Sequence, residues 1–286
     1  MHKKKDSIPA NILASLKKRR RRPETSHAPR GSAKVGTLIA SYNVHKCVGA
    51  DRRFDPERTS RVIHEIDADV IALQEADTRF GERMGLLDLG RLERETGLTP
   101  VPLSGVNKAH GWHGNVVLFK KGMVRDVHQI KLPGLEPRGA LVAEIDLESG
   151  GALRIIAAHL GLLRRSRAQQ ARMIVDILGS KDETPTVLLG DLNEWRLGDR
   201  SSLNTFQTVF GPLPPAVPSF PSGLPVLALD RIMGNRRGLV STVEVHDTPL
   251  ARMASDHLPI KAMIDLTKIE ETAADLAAQA AARLRT

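Results

Sequence analysis

The sequence predicts an α/β sandwich with much antiparallel pairing. Two observations carry that expectation. From residue 36 onward, short apolar runs of strand type alternate with amphipathic stretches of helical period. Neighbouring runs such as 140–147 and 153–159 then read as adjacent strands, so strands and helices are mixed along one chain. In order, the strand-like runs are Thr37–Val44, Asp69–Gln74, Asn115–Phe119, Ala140–Leu147, Leu153–His159, Thr186–Leu189, Ala228–Met233, Val240–Val245 and Leu258–Leu266. Helical periodicity marks Pro56–Ile66, Leu86–Thr96 and Ser166–Leu178, with Pro56 at a first turn where its missing N–H costs nothing. Six prolines between 211 and 225 predict a long loop, and long ordered loops are often functional. There is no internal repeat.

The chain has 286 residues, 41% hydrophobic and 26% charged, enough for one large domain or two small ones with a sizeable core. No apolar run approaches the roughly 18–20 residues of a membrane-spanning helix, so a soluble globular protein is expected. The formal net charge of +9 is unevenly placed. Residues 1–34 hold eleven Lys/Arg against Asp6 and Glu24, which leaves 31 of each sign over 35–286. The basicity belongs to an arm, and the body is electrically balanced. Residues 1–34 are therefore expected to be a mostly disordered basic arm. Ile8, Ile12, Leu13 and Leu16 ahead of Lys17–Arg22 leave three readings open: an amphipathic helix on an anionic membrane surface, a polyelectrolyte arm for RNA or DNA, or a solvated extension. Residues 268–286 form an Ala-rich, helix-prone tail, and 35–267 the body. Cys47 is the only cysteine, so no intrachain disulfide can form. The N-terminus lacks the apolar core of a signal peptide. A cytoplasmic location, peripheral to the membrane if the arm binds lipid, and a monomer are expected.

Polar residues cluster where the apolar runs stop. Tyr42-Asn43-Val44-His45 ends the first, Gln74-Glu75 the second, His159-Leu160 the fifth and Gly190-Asp191-Leu192-Asn193 the sixth, while Ser255-Asp256-His257 introduces the last. Open α/β sheets build sites at strand ends, because several strands can aim side chains into one crevice. A single Asp or Glu after a strand is usually a turn or cap, and a single His usually packs. Five such endings, all of ligand or acid/base type, are hard to explain that way. Their oxygens suit magnesium or manganese better than zinc, and no CxxC, HExxH or Gly-rich phosphate loop competes.

The ordered series Tyr42-Asn43-Val44, Gln74-Glu75, His159-Leu160, Gly190-Asp191-Leu192-Asn193, Leu229-Asp230-Arg231-Ile232 and Ser255-Asp256-His257 resembles the endonuclease/exonuclease/phosphatase superfamily, from about residue 36 to 267. The resemblance is to its poorly characterised bacterial hydrolases. It implies a four-layer α/β/β/α sandwich with two packed mixed sheets, of deoxyribonuclease type. It also implies that Asn43, Glu75 and Asp256 hold Mg²⁺ or Mn²⁺, that Asp191 orients or deprotonates the attacking water, and that Asn193 helps to place it or contacts the scissile phosphate. By the same resemblance His257, oriented by Asp230, stabilises the phosphorane-like transition state, and His159 is a second phosphate-facing histidine. Arg138, Arg164 and Asn115 are candidate substrate contacts. For Asp230 the competing reading is a salt bridge to a neighbouring Arg. His110, Trp112 and His113 are placed at the border of the cleft, whereas His45, Lys46, His64, His128 and His246 read as structural.

The expected activity is metal-dependent hydrolysis of a phosphate ester by in-line attack of water, as a phosphodiesterase or nuclease. Against a nuclease stand the neutral body and nine aromatic residues, few for stacking on single strands. A phospholipid or inositol-phosphate hydrolase at an anionic membrane is the alternative. A non-catalytic binding protein on the same fold is the second, and it would predict loss of the metal and water-orienting residues, all of which are intact.

Overall fold

The central strands are apolar on both faces, so each sheet needs cover on both sides. The computed structural model describes residues 36–266 except 107, 149–150 and 179–183. The arm and tail expected at 1–34 and 268–286 lie outside the described residues. Among the described residues, eleven strands follow one another: β1 (Thr37–Asn43), β2 (Val70–Gln74), β3 (Thr99–Pro100), β4 (Val116–Phe119), β5 (Gly122–Lys131), β6 (Gly139–Leu147), β7 (Ala152–Ala158), β8 (Thr186–Asp191), β9 (Asp230–Gly234), β10 (Glu244–Val245) and β11 (Ile260–Ile264). Between them lie α1 (Pro56–Ile66), α2 (Leu89–Thr96), α3 (Arg164–Leu178), α4 (Gln207–Phe210) and α5 (Pro249–Ala254).

One sheet runs β10-β11-β1-β2-β4-β3 and the other β5-β6-β7-β8-β9. They pack face to face through Ile39, Val70, Val117, Leu141, Ile155, Leu189 and Ile260, among others. Strand alternation sends Ala40 and Tyr42 of β1 the opposite way, against Val62, Ile63 and Ile66 of α1, Leu92 of α2 and Ala254 of α5. On the far side, Ile156 and Leu188 meet Ala171 and Ile174 of α3 together with Phe206 and Phe210. The result is the α/β/β/α four-layer sandwich of deoxyribonuclease type.

Local signals set the boundaries. Asp55 caps α1 by accepting from the Arg58 N–H at 2.9 Å, with Pro56 in the first turn. Asp88 caps α2 in the same way, which starts that helix at Leu89, three residues after the predicted Leu86. The expected strand Val240–Val245 is reduced to Glu244–Val245 and an isolated bridge from Val240 to Ile264. No periodicity predicted β5, an edge strand whose residues are all at least partly exposed and which carries charge along its length. Its pairing with β6 shifts register between Val124 and Asp126, a bulge that further blurs alternation.

Strand polarity places the site. Each sheet has one parallel pair, β1–β2 and β7–β8, and every other pairing is antiparallel. Asn43, Glu75, His159 and Asp191 therefore leave the C-terminal ends of these pairs. Asp230, Asp256 and His257 enter at the N-terminal ends of β9 and β11, which run antiparallel to β8 and β1. Because β1 and β2 also lie against β8, all these ends share one edge of the sandwich.

Replacing Ile155 of the inter-sheet core by Ala should cost about 2–5 kcal/mol, read from urea unfolding. Met173→Ala on the exposed side of α3 should stay within about 0.5 kcal/mol.

Candidate active site

Asp191 closes β8 at the seam between the sheets and is buried. Its Oδ2 accepts from Asn43 Nδ2 at 2.9 Å, a bond across the two sheets between residues 148 apart in sequence. Its Oδ1 accepts from the Asn193 N–H at 2.9 Å. Gly190 is required just before it: φ is +145°, and a Cβ there would lie 1.9 Å from the carbonyl oxygen of Ala158. Asp191 is also the register partner of Asp230 across β8 and β9.

Two histidines face this carboxylate in different states. His159 Nε2 is 3.4 Å and His257 Nε2 3.7 Å from Asp191 Oδ2. Arg138 Nη1 donates to His159 Nδ1 at 2.9 Å. A guanidinium can only donate, so that nitrogen is an acceptor and the proton of His159 resides on Nε2. Burial, with the Arg138 charge beside it, holds the His159 pKa well below its usual value, so the ring is neutral. His257 is the reverse case. Burial opposes its charge, but the carboxylates of Asp230 and Asp191 outweigh burial and lift its pKa to about 10. Its Nδ1 donates to Asp230 Oδ2 at 2.8 Å, and Ser219 Oγ donates to the same oxygen at 2.5 Å. Asp230 thus pairs with His257; Arg231 Nη1 reaches only its backbone carbonyl oxygen, at 3.2 Å. Burial pushes Asp191 up to about 6 despite the opposing charge of His257, with Asp230 adding to the rise.

The other ligand candidates surround the tight turn His45–Cys47, whose three residues all have positive φ. Asn43 Oδ1 accepts from the His45 N–H at 3.0 Å, Asp256 Oδ1 lies 3.6 Å from His45 Nδ1, and Lys46 Nζ donates to Glu75 Oε2 at 2.7 Å. Burial acts against the Glu75 charge, but Lys46 holds the carboxyl below its ordinary value. Glu75, Asp256 and the amide oxygen of Asn43 are hard oxygen donors about one turn, a set that fits Mg²⁺ or Mn²⁺. A second group, Asp191, Asp230 and His257, brings three donor atoms within 4.8 Å of one another. There, however, His257 Nδ1 is taken by Asp230 Oδ2, while the buried Asp230 Oδ1 has no hydrogen-bond partner.

The residues expected from sequence divide by place. Asn43, His159, Asp191, Asp230 and His257 meet around Asp191, Glu75 and Asp256 flank the His45–Cys47 turn, and Asn193 turns back in a left-handed conformation, φ 52°, to donate from Nδ2 to the Leu160 carbonyl. Arg138 is buried, pairing with Glu136 and His159. Asn115 is buried, with Nδ2 donating to the carbonyls of Trp112 and Gly139 and Oδ1 without a hydrogen-bond partner. Arg164 starts α3 and donates to the Arg200 carbonyl at 3.1 Å, away from the pocket. The proline-rich loop does border the site: besides Ser219, the Phe220 ring lies 4.9 Å from that of His257. Lys46, expected to be structural, stands on Glu75, and its position three residues after Asn43 was the available signal. Arg79 and Arg83, which no motif marked, line the same pocket with His113, Arg138 and His159. Among the other histidines, His246 pairs with Glu65 and His128 with Asp126, outside the site.

A family model described as the Endonuclease/Exonuclease/phosphatase family matches residues 40–257, and the chain belongs to that family. It is 28% identical over 254 residues to the uncharacterised protein YbhP of Escherichia coli K12, covering 80% of this chain and 96% of YbhP. In fold it is similar to the mannosyl-6-phosphatase Bt3783 of Bacteroides thetaiotaomicron, with a TM-score of 0.60 and 16% identity over 80% of this chain and 99% of that one. It is also similar to D. rerio TDP2 in complex with a single-strand DNA product, with a TM-score of 0.57 and 15% identity over 79% and 97%.

Behind Asn193, the buried Glu194 carboxylate accepts from Arg167 Nη2 at 3.1 Å and from Ser202 Oγ at 2.7 Å, fastening the loop to α3. Arg167→Met removes the buried one of two cations on that charge, Arg196 Nη1 at 3.4 Å being the other, and should cost about 1–3 kcal/mol, measured by chemical denaturation.

Proposed function

We propose that the chain is a divalent-metal-dependent phosphoesterase that attacks phosphorus directly with water. The observation that carries this reading is the pair of unlike histidines on Asp191, one neutral and one protonated, each presenting Nε2–H to the same place. Phosphoryl transfer needs positioning and charge neutralisation more than covalent chemistry. Asp191 orients the water and takes its proton, and Asn193 holds the Asp191 carboxylate from below. His257 donates to a non-bridging oxygen as negative charge builds there, and Asp230 keeps its tautomer and its charge. His159, locked by Arg138, supplies a second donor. Asn43, Glu75 and Asp256 would hold Mg²⁺ or Mn²⁺, which neutralises the phosphate when bound.

Direct attack is favoured over a covalent route because Cys47 is a poor nucleophile. It is buried, and burial raises its thiol to about 11. The fold neighbours named above, a mannosyl-6-phosphatase and a protein complexed with a single-strand DNA product, support a sugar phosphate and a nucleic acid as substrate classes on this scaffold.

With bis-p-nitrophenyl phosphate as substrate, EDTA should abolish turnover and Mg²⁺ or Mn²⁺ restore it. Asp191→Asn and His257→Gln should each lower kcat by about 10²–10⁴-fold in a chain that circular dichroism shows to be folded, and near-normal rates would sink the assignment. Glu75→Gln should raise the metal concentration needed for half-maximal rate, with recovery at higher metal.

A further inference from the structure

The pocket that opens beside His159 and Glu75 holds more cationic charge than the scissile phosphate requires. Lys46, Arg79, Arg83 and Arg138 line it, with Asp77 and Glu75 as its acids. Three of the four cations have fixed partners. Lys46 is on Glu75 at 2.7 Å, Arg138 is on Glu136 at 2.8 Å, and Arg83 Nε is on Asp77 Oδ2 at 2.7 Å. Arg79 makes no ion pair among the described residues. Its guanidinium lies over the exposed Phe80 ring at 5.6 Å, a contact that uses the face of the fork and none of its N–H donors.

The segment that carries these arginines is built to present them. Residues 76–86 fold back on themselves, with the Thr78 N–H donating to the Met84 carbonyl at 3.0 Å and the Leu86 N–H to the Ala76 carbonyl at 3.3 Å. Arg79 and Arg83 both adopt left-handed backbone, φ 66° and 52°, conformations that non-glycine residues seldom occupy without a surrounding constraint. The constraint is Asp77, whose Oδ1 accepts from the Arg79 N–H at 2.8 Å while the carboxylate receives the Arg83 side chain. Arg83 in turn donates from Nη1 to the Arg79 carbonyl at 2.8 Å. Both acids of the pocket are thus engaged, and the uncompensated cation is Arg79. It stands close enough to the catalytic centre for its charge to act on His159.

We infer that Arg79, held in place by Asp77 and Arg83, is a subsite for a second anionic group on the substrate, so that the preferred substrates carry a second phosphate a few bonds from the one hydrolysed. The subsite takes its role from the phosphoesterase reading above, but it is tested by binding and needs no turnover. An Arg–phosphate pair is bidentate and charge-assisted, so it discriminates strongly between ligands with and without that group.

The probes are inorganic pyrophosphate and inorganic phosphate, titrated calorimetrically into the full chain in EDTA. Wild type should bind pyrophosphate at least about tenfold more tightly than phosphate. Arg79→Gln should remove that margin and Arg83→Gln should shrink it. Arg61→Gln, an exposed cation on α1 far from the pocket, should leave it intact. Equal binding of the two anions by wild type, or a margin that survives in the Arg79→Gln/Arg83→Gln double variant, would overturn the subsite. Failure of the phosphoesterase reading is separate: it would show as absent hydrolysis of bis-p-nitrophenyl phosphate, whatever the two binding constants are.

Discussion

A carboxylate buried where two sheets meet needs hydrogen bonds from both, and Asp191 has them. Removing an ionised group from water is costly unless donors replace the solvent. Here Asn43 donates from the first sheet and the Asn193 N–H from the turn after β8, while the Nε2 atoms of His159, after β7, and His257, at the entry to β11, stand 3.4 and 3.7 Å away. If the seam slipped by one residue in either sheet, side chains would change faces and this set would be lost. The same carboxylate therefore joins the two sheets at their edge and is the group to which the proposed mechanism assigns the proton of water.

The polar partners act in layers outward from that point. Asp230 fixes the proton of His257, and Ser219 in the proline-rich loop fixes Asp230. Arg138 fixes the tautomer of His159, and Glu136 fixes Arg138. The two imidazoles differ in charge because burial, with Arg138 beside it, keeps His159 neutral, whereas the carboxylates of Asp230 and Asp191 outweigh burial at His257. Electrostatic preorganisation of this kind needs rigid support. Strand ends provide it for most members, while the loop behind Asn193 depends on the Arg167–Glu194 pair.

Much of this was legible in the sequence, for a physical reason. Central strands are buried on both faces, so Thr37–Asn43, Val70–Gln74 and Thr186–Asp191 show as continuous apolar runs, and the polar residues that end them stand out. Caps did the same for α1, where Asp55-Pro56 marks the start. The strand Gly122–Lys131 was not legible, because an exposed edge strand with a bulge shows no alternation. Lys46 reads as structural, and its pairing with Glu75 depends on the left-handed turn at 45–47, which no sequence pattern marks. Arg79 and Arg83 could not be found in the sequence either. Their meaning lies in a fold-back at residues 76–86 and in which of them lacks a carboxylate, both of which are tertiary facts.

The central claim is that water held by Asp191 attacks phosphorus in line, with no enzyme-bound phosphoryl group. The stereochemistry at phosphorus tests it most directly. A p-nitrophenyl phosphorothioate diester of one configuration would be hydrolysed by the full chain in ¹⁸O-labelled water with Mg²⁺ or Mn²⁺. Inversion at phosphorus, with the label in the phosphorothioate product and none in p-nitrophenol, is the expected result. Retention would require two displacements through a covalent intermediate and would contradict the account.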